Sequence, residues 1–314
     1  MQYTQVKDLT FSKLTLGTVQ LGTPYGIANK MGQPDESTRS SILEAALEGG
    51  INCFDTANRY GTSELVLGEF FANREKPLIV TKMRLDVDKS TEAAEVERLM
   101  LEYTEMSLSR LGISQIPIMM LHNPDILAFH GETFTAVSKR LKQEGLVAKM
   151  GMSMGANSEE QFRDLWPIIK DDIYEAVQIP INILDHRLLH TGGMGLLEES
   201  GKIVFARSIF LQGLLFLKDD ELPPHLKEAA KPLQTLRALA EQEGVSIAQL
   251  AVSFIAGLPQ IHSLLFGAET AEQVRENISL FNSPAISEKT HAAILKELAD
   301  VPESVINTVL WART

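Results

Sequence analysis

The architecture of this chain can be worked out from one stretch, which reads Asn52-Cys53-Phe54-Asp55-Thr56-Ala57-Asn58-Arg59-Tyr60-Gly61. The apolar pattern over residues 51–55 predicts a short buried strand, and Gly61 predicts a turn before a helix that starts at Ser63. Asp55 is therefore expected at the carboxyl end of a strand, with Tyr60 in the loop that follows. In a parallel barrel, this end of each strand carries the functional residues.

Two later strand ends offer matching polar groups. The apolar run at residues 78–82 finishes in Lys82, and the run at residues 116–121 is followed by His122. Asp, Tyr, Lys and His side chains thus stand at three successive junctions between a strand and its loop. On spacing alone, a structural ion pair between Asp55 and Lys82 explains these residues as well as a catalytic site does, because ion pairs also mark purely structural positions.

Apolar runs and helical patterns alternate along the whole chain. Strands are predicted at residues 14–17, 51–55, 78–82, 116–121, 147–152, 176–179, 203–206 and 264–266. Helical spacing and capping boxes predict the intervening helices, among them residues 35–48, 63–71 and 91–111 and those capped at residues 158–161, 246–249 and 270–273. Since no repeat or linker divides the chain, these elements predict one domain over residues 1–314, an α/β protein with a (β/α)8 (TIM) barrel.

Composition narrows the possible partners. The chain has 41 acidic and 29 basic residues, and its net charge of −12 argues against a protein-wide attraction to nucleic acid or anionic lipid. Cys53 is the only cysteine, and its parity with Asp55 predicts a core position inside the barrel. The sequence contains neither a signal-peptide pattern at its start nor an apolar run long enough to span a bilayer. We therefore expect a cytoplasmic protein that binds neither nucleic acid nor membrane.

An ordered set of motifs resembles the aldo-keto reductases over nearly the whole chain. The matching pieces are residues 14–18, 55–57, 60–61 and 151–153, then Gln178, residues 267–268, Gln273 and Asn277. The resemblance implies an oxidoreductase that reduces an aldehyde or a ketone with NADP(H) or NAD(H). Its small-molecule carbonyl substrate is expected to be sugar-derived.

The resemblance assigns Asp55, Tyr60, Lys82 and His122 to a catalytic tetrad. Carbonyl reduction needs a hydride from the nicotinamide and a proton for the developing alkoxide. Tyr60 is the expected proton donor, although a free phenol has a pKa of about 10 and needs a neighbouring cation. Lys82 would supply that cation, Asp55 would hold Lys82, and His122 would orient the substrate oxygen.

The same resemblance places the nicotinamide at the barrel mouth. Ser153 and Gln178 match positions that hydrogen-bond the carboxamide, and Gly17 and Thr18 match the floor beneath the ring. The usual asparagine after the serine is Met154 here. On their own, Ser153 and Gln178 would more readily be interpreted as satisfied polar groups at the barrel rim.

A second departure follows the seventh strand. The tyrosine that usually stacks on the nicotinamide is replaced by Arg207, whose planar guanidinium can also stack on a ring or hold a phosphate. Ser208, Gln212 and Gly213 would approach the pyrophosphate, and the glycine would permit close backbone contact.

A third departure lies in the expected adenosine-phosphate loop, which comprises Gly267, Glu269, Gln273 and Asn277. Many relatives carry a lysine at the position of Glu269, where it meets the 2′-phosphate. A carboxylate there would repel that phosphate, whereas Arg275 and the nearby helix N-terminus would favour it. We therefore expect weakened discrimination, with NADH used appreciably.

Two other classes of protein are compatible with parts of this pattern. A nicotinamide-binding regulatory subunit would bind the cofactor with little turnover. A metal-dependent barrel hydrolase would use Asp55, His122 and His186 as ligands, but Lys82 argues against it. His186 and His190 lack accompanying carboxylates or cysteines, so we assign no metal.

Three segments exceed a minimal barrel: residues 122–131, residues 211–224 and the tail beyond residue 300. The first two follow strands and are expected as loops over the barrel mouth. Such loops are where substrate specificity is expected to lie.

Overall fold

Eight parallel strands close into a barrel in the computed structural model, which describes residues 1–24, 32–155 and 158–313. They follow an antiparallel hairpin made of β1 (Tyr3–Val6) and β2 (Leu9–Ser12). The barrel strands are β3 (Leu14–Gly17), β4 (Cys53–Asp55), β5 (Leu78–Met83), β6 (Ile116–Leu121), β7 (Val147–Ser153), β8 (Tyr174–Pro180), β9 (Ile203–Arg207) and β10 (Ser263–Gly267). Each pairs with its neighbours in chain order, and β10 closes the barrel against β3. The predicted fold is confirmed, and each predicted strand coincides with an observed one to within two residues at either end.

The helices follow the strands around the outside of the barrel. They are α1 (Val19–Gly22), α2 (Glu36–Glu48), α3 (Ser63–Phe70), α4 (Ala93–Leu111), α5 (Leu127–Gln143), α6 (Ser158–Ile169), α7 (Arg187–His190), α8 (Gly193–Glu199), α9 (Ala230–Glu243), α10 (Ile247–Ala256), α11 (Ala271–Asn282), α12 (Glu288–Glu297) and α13 (Glu303–Ile306). Short 3-10 turns occupy Pro124–Ile126, Leu211–Phe216, Pro224–Ala229 and Leu310–Arg313. Within the described ranges, no helix combines the length and apolar character needed to cross a membrane.

Side-chain caps fix the starts of several helices. The hydroxyls of Ser246 and Thr270 accept hydrogen bonds from the backbone nitrogens three residues later, at 3.1 and 3.2 Å. Each bond satisfies one of the free N–H groups of a first helical turn. These two predicted caps are confirmed, whereas the cap predicted at residue 158 involves a side chain that lies outside the described part of the chain.

The inward-facing side chains of the barrel form a lower apolar layer and an upper polar one. The lower layer consists of buried side chains from alternate strand positions, namely Cys53, Val80, Ile118, Met120, Ala176, Ile203, Phe205 and Leu265. Because side chains alternate along a strand, the next inward position along β4 is Asp55, along β5 Lys82 and along β8 Gln178. The site residues therefore share one interior face at the carboxyl ends of the strands.

Cys53 lies in the lower layer and is fully buried, which confirms its predicted core position. Burial raises the pKa of its thiol to about 12, and hydrogen bonding with Thr15 only partly opposes this effect. A thiol in this environment stays protonated and is unreactive at neutral pH.

The hairpin of β1 and β2 covers the amino end of the barrel and was not predicted from the sequence. Phe11 stacks on Phe205 inside the barrel, with ring centroids 5.6 Å apart. Asp8 in the hairpin turn pairs with Lys149 on β7 at 2.5 Å. The barrel is thus sealed at the end opposite to Asp55 and Lys82.

The segment at residues 122–131 was predicted as a loop, and this prediction is wrong for most of its length. A 3-10 turn begins at Pro124, and α5 begins at Leu127, with a kink at His130. Ile126 and Leu127 are buried, so the turn is helical because it packs these side chains onto the core. The predicted segment at residues 211–224 does contain a 3-10 turn outside the minimal barrel.

Candidate active site

Asp55 and Lys82 form a buried ion pair at the carboxyl end of the barrel. The Lys82 ammonium donates to the two Asp55 carboxylate oxygens at 2.6 and 2.7 Å and to the Thr56 carbonyl at 3.0 Å. Asp55 is 2% exposed and Lys82 is 0% exposed. The three donor hydrogens of an ammonium suit this set of three oxygens.

The charge of Lys82 is retained despite its burial. Desolvation alone would lower the pKa of the ammonium, but the Coulombic attraction of Asp55 and then of Tyr60 outweighs it, so the pKa lies above its usual value. Arg207 acts in the opposite sense. Lys82 is therefore a permanent cation inside the barrel at neutral pH.

Gln178 and Ser153 extend this pair across the barrel. The side-chain nitrogen of Gln178 donates to Oδ2 of Asp55 at 2.8 Å. The hydroxyl of Ser153 donates to Oε1 of Gln178 at 3.4 Å. Ser153 and Gln178 are register partners on β7 and β8, and both are buried.

Tyr60 lies over the Lys82 ammonium, whose nitrogen is 5.1 Å from the centroid of the phenol ring. The turn that carries Tyr60 packs tightly against α1. Gly61 adopts a φ of +55°, and a Cβ on Gly22 would stand only 1.8 Å from the carbonyl oxygen of Tyr60. Glycine is needed at both positions, because one requires left-handed backbone and the other a close backbone approach.

His122 faces Tyr60 in an edge-to-face arrangement, with ring centroids 5.7 Å apart. Its backbone nitrogen donates to the Met83 carbonyl at 2.8 Å, which fixes the residue beside the end of β5. Burial, followed by the positive charges of Lys82, Arg207 and Arg84, lowers the pKa of His122 to about 3. The imidazole is therefore neutral at physiological pH.

The Nδ1 atom of His122 is buried and has no hydrogen-bond partner among the described residues. Buried polar atoms are seldom left in this state, because desolvation is costly without a partner. An atom of this kind beside Tyr60 fits a site that a polar ligand completes. The structure thus brings Asp55, Tyr60, Lys82 and His122 together around one position.

Arg207 stands at the end of β9 and is half-buried. Its guanidinium donates to the Met154 carbonyl at 2.7 Å and to the Ser208 hydroxyl at 3.0 Å. Its positive charge acts to lower the pKa of both Lys82 and His122, which lie at the centre of the site. Arg207 and Met154 thus occupy neighbouring positions on the rim.

The backbone after Arg207 is strained. Left-handed φ angles occur at Ser208 (63°), Leu211 (47°), Gln212 (54°) and Gly213 (94°). Such angles are uncommon outside glycine, and they cluster at functional sites where the surrounding structure holds them in place. The segment predicted to approach the pyrophosphate therefore has the backbone expected of a binding loop.

Gly17 lies between the two ends of the predicted cofactor cleft, because it is the register partner of both Gly267 and Asp55. Thr18 is buried, and its hydroxyl is engaged with the Asp55 carbonyl at 2.8 Å and the Ser63 hydroxyl at 2.6 Å. The side chain of Thr18 thus supports the site from below. Any floor to a ligand would come from the backbone of residues 17 and 18.

Gln20 is a candidate site residue that was not predicted from the sequence. A Cβ on Gly267 would stand 2.2 Å from the Gln20 amide nitrogen, so the glutamine lies directly on this glycine. The amide oxygen of Gln20 is buried without a hydrogen-bond partner in the described part of the chain. The sequence feature that could have identified Gln20 is its position, three residues after Gly17 at the end of a predicted strand. The missing side chain at Gly267 makes room for Gln20, and the unpartnered oxygen fits a site that a polar ligand completes.

The loop before α11 is tightly organised. The Gln273 side chain accepts from the backbone nitrogen of Glu269 at 2.7 Å, and Asn277 donates to the Gln273 carbonyl at 2.8 Å. Burial raises the pKa of Glu269 above its usual range. Arg275 pairs with Glu48 on α2 at 3.7 Å and is exposed.

The three proposed ligands of a hydrolase metal are not assembled. Both oxygens of Asp55 are taken by Lys82, and His186 is bonded through Nε2 to the Ile183 carbonyl at 2.9 Å. Across the residues that the structure describes, no three His, Cys, Asp or Glu side chains form a metal-binding group.

Comparison of the sequence with known proteins identifies one family. The sequence model of the aldo/keto reductase family matches residues 13–298. An uncharacterized oxidoreductase of Bacillus subtilis strain 168, YqkF, is 27% identical over 91% of this chain and 92% of its own. An L-glyceraldehyde 3-phosphate reductase of Escherichia coli K12 is 28% identical over 92% of this chain and 91% of its own.

Solved structures share the fold. The holo form of the aldo-keto reductase AKR11C1 from Bacillus halodurans superimposes with a TM-score of 0.71 at 23% identity, over 96% of this chain and 97% of that one. A glycerol dehydrogenase from Gluconobacter oxydans, AKR11B4, gives a TM-score of 0.70 at 21% identity, over 96% of both chains. With a family match that spans almost the entire barrel, this chain belongs to the aldo/keto reductase family of carbonyl oxidoreductases.

Proposed function

We propose that this protein reduces an aldehyde or a ketone to an alcohol with NADPH or NADH, and that Tyr60 donates the proton. The observation that carries the proposal is the buried Lys82 ammonium, which Asp55 holds 5.1 Å from the Tyr60 ring centroid. A buried cation favours the phenolate over the phenol and so makes Tyr60 a stronger acid. The ring also makes a cation–π contact with this ammonium, so the hydroxyl of Tyr60 must be tested separately from the ring.

The proposed chemistry divides between hydride and proton. The nicotinamide, when bound, supplies the hydride that adds to the carbonyl carbon. The electron pair of the carbonyl double bond moves to the oxygen, which takes the proton from the Tyr60 hydroxyl. Lys82 stabilises the phenolate that remains, and solvent returns a proton to it.

His122 would orient the carbonyl in this scheme. Its imidazole is neutral at physiological pH, so it offers one N–H donor and one acceptor rather than a second charge. Positioning of this kind lowers the barrier because the reacting atoms are already aligned. Tyr60 and His122 then approach the substrate oxygen from two sides.

The proposed cofactor cleft runs along the mouth of the barrel. Ser153 and Gln178 would bind the carboxamide above the backbone of Gly17 and Thr18, and Arg207 would contact the ring or a phosphate. The support is their common place at the carboxyl ends of the strands around Asp55. The pyrophosphate and adenosine ends are assigned to Ser208, Gln212, Gly213, Gly267, Glu269, Gln273 and Asn277.

Charges at the mouth favour including anionic substrates in any test. Arg59 and Arg84, which follow β4 and β5, both pair with the single carboxylate of Asp86. Arg207 adds a further arginine on the opposite rim, although the whole chain carries a charge of −12. The similarity to an L-glyceraldehyde 3-phosphate reductase makes phosphorylated three-carbon aldehydes reasonable candidates.

The test is a substrate panel followed by the loss of reduced-nicotinamide absorbance. Glyceraldehyde, glyceraldehyde 3-phosphate, dihydroxyacetone and several aldoses would each be assayed with NADPH and with NADH. We expect turnover of at least one carbonyl, and faster reduction of the phosphorylated aldehyde than of its neutral counterpart. Tight cofactor binding with negligible turnover across the panel would overturn the proposal in favour of a regulatory nicotinamide-binding protein.

A further inference from the structure

Gln178 makes a contact that binding of a carboxamide does not explain. Its Nε2 lies 2.8 Å from Oδ2 of Asp55, and its side chain is almost fully buried. Because Asp55 accepts, Gln178 must donate, which fixes the orientation of the amide and turns Oε1 towards the Ser153 hydroxyl. The two residues are 123 positions apart in the sequence and meet only because the barrel closes.

Asp55 therefore receives hydrogen bonds from two different side chains. Lys82 donates to both carboxylate oxygens, and Gln178 donates to one of them. Hydrogen bonds to a charged acceptor are stronger than those between neutral groups, and they disperse its negative charge. The carboxylate is consequently held in one rotamer, and part of its charge is shared with Gln178 instead of with Lys82.

We propose that Gln178 is a positioning residue for acid catalysis, which acts through Asp55 to set how strongly the Lys82 ammonium stabilises the Tyr60 phenolate. The inference rests on the proposed function of the site. It adds a role for Gln178 that is distinct from any contact with the nicotinamide. The second N–H of the amide and a lone pair of Oε1 remain for such a contact.

The expected direction follows from electrostatics. Without the hydrogen bond from Gln178, the negative charge of Asp55 is less dispersed and neutralises more of the positive charge of Lys82. The phenolate of Tyr60 then gains less from its neighbour, because the net positive field at the ring is weaker. Tyr60 should therefore ionise at a higher pH.

Lys82 and His122 contact the Tyr60 ring, and the charged groups that act on these two residues are the same in both proteins. They come from β4, β5 and β9 and the loops that follow, and they are Asp55, Lys82, Arg84 and Arg207. Arg59, which precedes Tyr60 and pairs with Asp86, is also unchanged. His122 stays neutral through the alkaline range, and the arginines stay charged. A change in Tyr60 ionisation on substitution of Gln178 is therefore attributable to Asp55 and Lys82.

The test is an ultraviolet titration of Tyr60 in the full-length protein without cofactor or substrate. Tyrosinate absorbance is recorded against pH for the wild type and for Gln178→Met, and each curve is corrected with its own Tyr60→Phe counterpart. We expect the Tyr60 midpoint to rise by about half a pH unit in Gln178→Met. An unchanged or lowered midpoint would overturn the inference.

A matched control is Thr81→Val, which removes a buried 2.6 Å hydrogen bond to Glu64 beside Lys82 but outside the barrel interior. It should lower stability without moving the Tyr60 midpoint. If Gln178→Met does not fold, Gln178→Asn withdraws the amide from Asp55 and carries the same expectation.

A double-substitution cycle identifies the route. In an Asp55→Asn background, Gln178→Met should shift the Tyr60 midpoint by less than a third of its effect in the wild type, because the charge through which it acts is gone. An equal shift in both backgrounds would show that Gln178 does not act through Asp55. Since the titration needs no turnover, an inactive wild type would overturn the proposed function and leave this result standing.

Discussion

The ammonium of Lys82 lies 2.6 and 2.7 Å from the two carboxylate oxygens of Asp55, and both side chains are inaccessible to solvent. Burying two charges costs several kcal/mol each, so a pair of this kind is weak evidence of a role in stability. The pair lies beneath Tyr60, and a role in activating this tyrosine would explain why two charges are buried despite the unfavourable free energy.

We predict that Lys82→Met abolishes most carbonyl reduction and destabilises the fold by about 3–5 kcal/mol, because Asp55 is left as an unpaired buried charge. Chemical denaturation and steady-state rates measure the two effects. The control Asp55→Asn/Lys82→Met, which leaves no buried charge, should recover much of the stability and none of the activity. A stable and active Lys82→Met protein would exclude the proposed role.

A pH dependence of stability is predicted from His122. Its pKa falls from the usual value of 6.5 to about 3 in the folded protein, so between these values the unfolded chain binds more protons. The contribution of His122 to the free energy of unfolding is therefore fully present above pH 6.5 and decreases as the pH falls towards 3. From pH 7 to pH 5, His122 accounts for a loss of up to ~2 kcal/mol.

Denaturant midpoints at pH 7 and pH 5 test this prediction. His122→Gln should lose less stability between the two pH values than the wild type does. His225→Gln, a substitution on a 3-10 turn outside the barrel, is the control and should behave like the wild type. Equal losses in the wild type and His122→Gln would contradict the burial of a neutral imidazole.

The barrel could be predicted because each of its strands is a short apolar run, as burial on both faces of a parallel sheet requires. The site residues Asp55, Lys82 and His122 followed from the same pattern, since each stands at the end of such a run. Alternate side chains of a strand point into and out of the barrel, so the position of Cys53 two residues before Asp55 also predicted that it lies in the core.

Other features depend on long-range packing and left little trace in the sequence. The hairpin at residues 3–12 is largely exposed, and its turn uses Lys7 at a φ of 54°, where glycine or asparagine would be the usual signal. The left-handed backbone at Ser208 and Leu211 was not predicted either, because neither residue is a glycine or an asparagine. The contact between Gln178 and Asp55 exists only once the barrel closes.

Arg207 is predicted to contact the bound cofactor. Arg207 is the last residue of β9, and its guanidinium reaches the Met154 carbonyl after β7. Its positive charge acts to lower the pKa of His122 and of Lys82. A crystal structure with a dinucleotide should show it against the nicotinamide or a phosphate, and Arg207→Met should weaken cofactor binding about tenfold, roughly 1.4 kcal/mol. An Arg207 side chain that points to bulk solvent in the complex, remote from the ring and both phosphates, would refute this assignment.

Glu269 is predicted to weaken discrimination in favour of NADPH. A carboxylate near the 2′-phosphate costs about 1 kcal/mol in partly screened solvent, and the opposing Arg275 is already paired with Glu48. Glu269→Lys should therefore shift the ratio of kcat/KM towards NADPH by about tenfold or less. Glu276→Lys, on the next turn of α11, is a control for the added charge alone. A wild type that prefers NADPH by about a thousandfold, roughly 4 kcal/mol, would show that Glu269 does not face the 2′ position.

The proposed role of Tyr60 is tested most directly by the kcat of Tyr60→Phe on the carbonyl that the wild type reduces fastest. This substitution deletes the proton donor and leaves the proposed dinucleotide contacts intact, so kcat should fall by about 10²–10⁴-fold while cofactor affinity stays nearly unchanged. The control is Tyr174→Phe, which removes a buried hydroxyl bonded to Thr135 at the opposite end of the barrel and should retain wild-type kcat. If Tyr60→Phe keeps more than about a tenth of the wild-type kcat, Tyr60 is not the acid and the central claim fails.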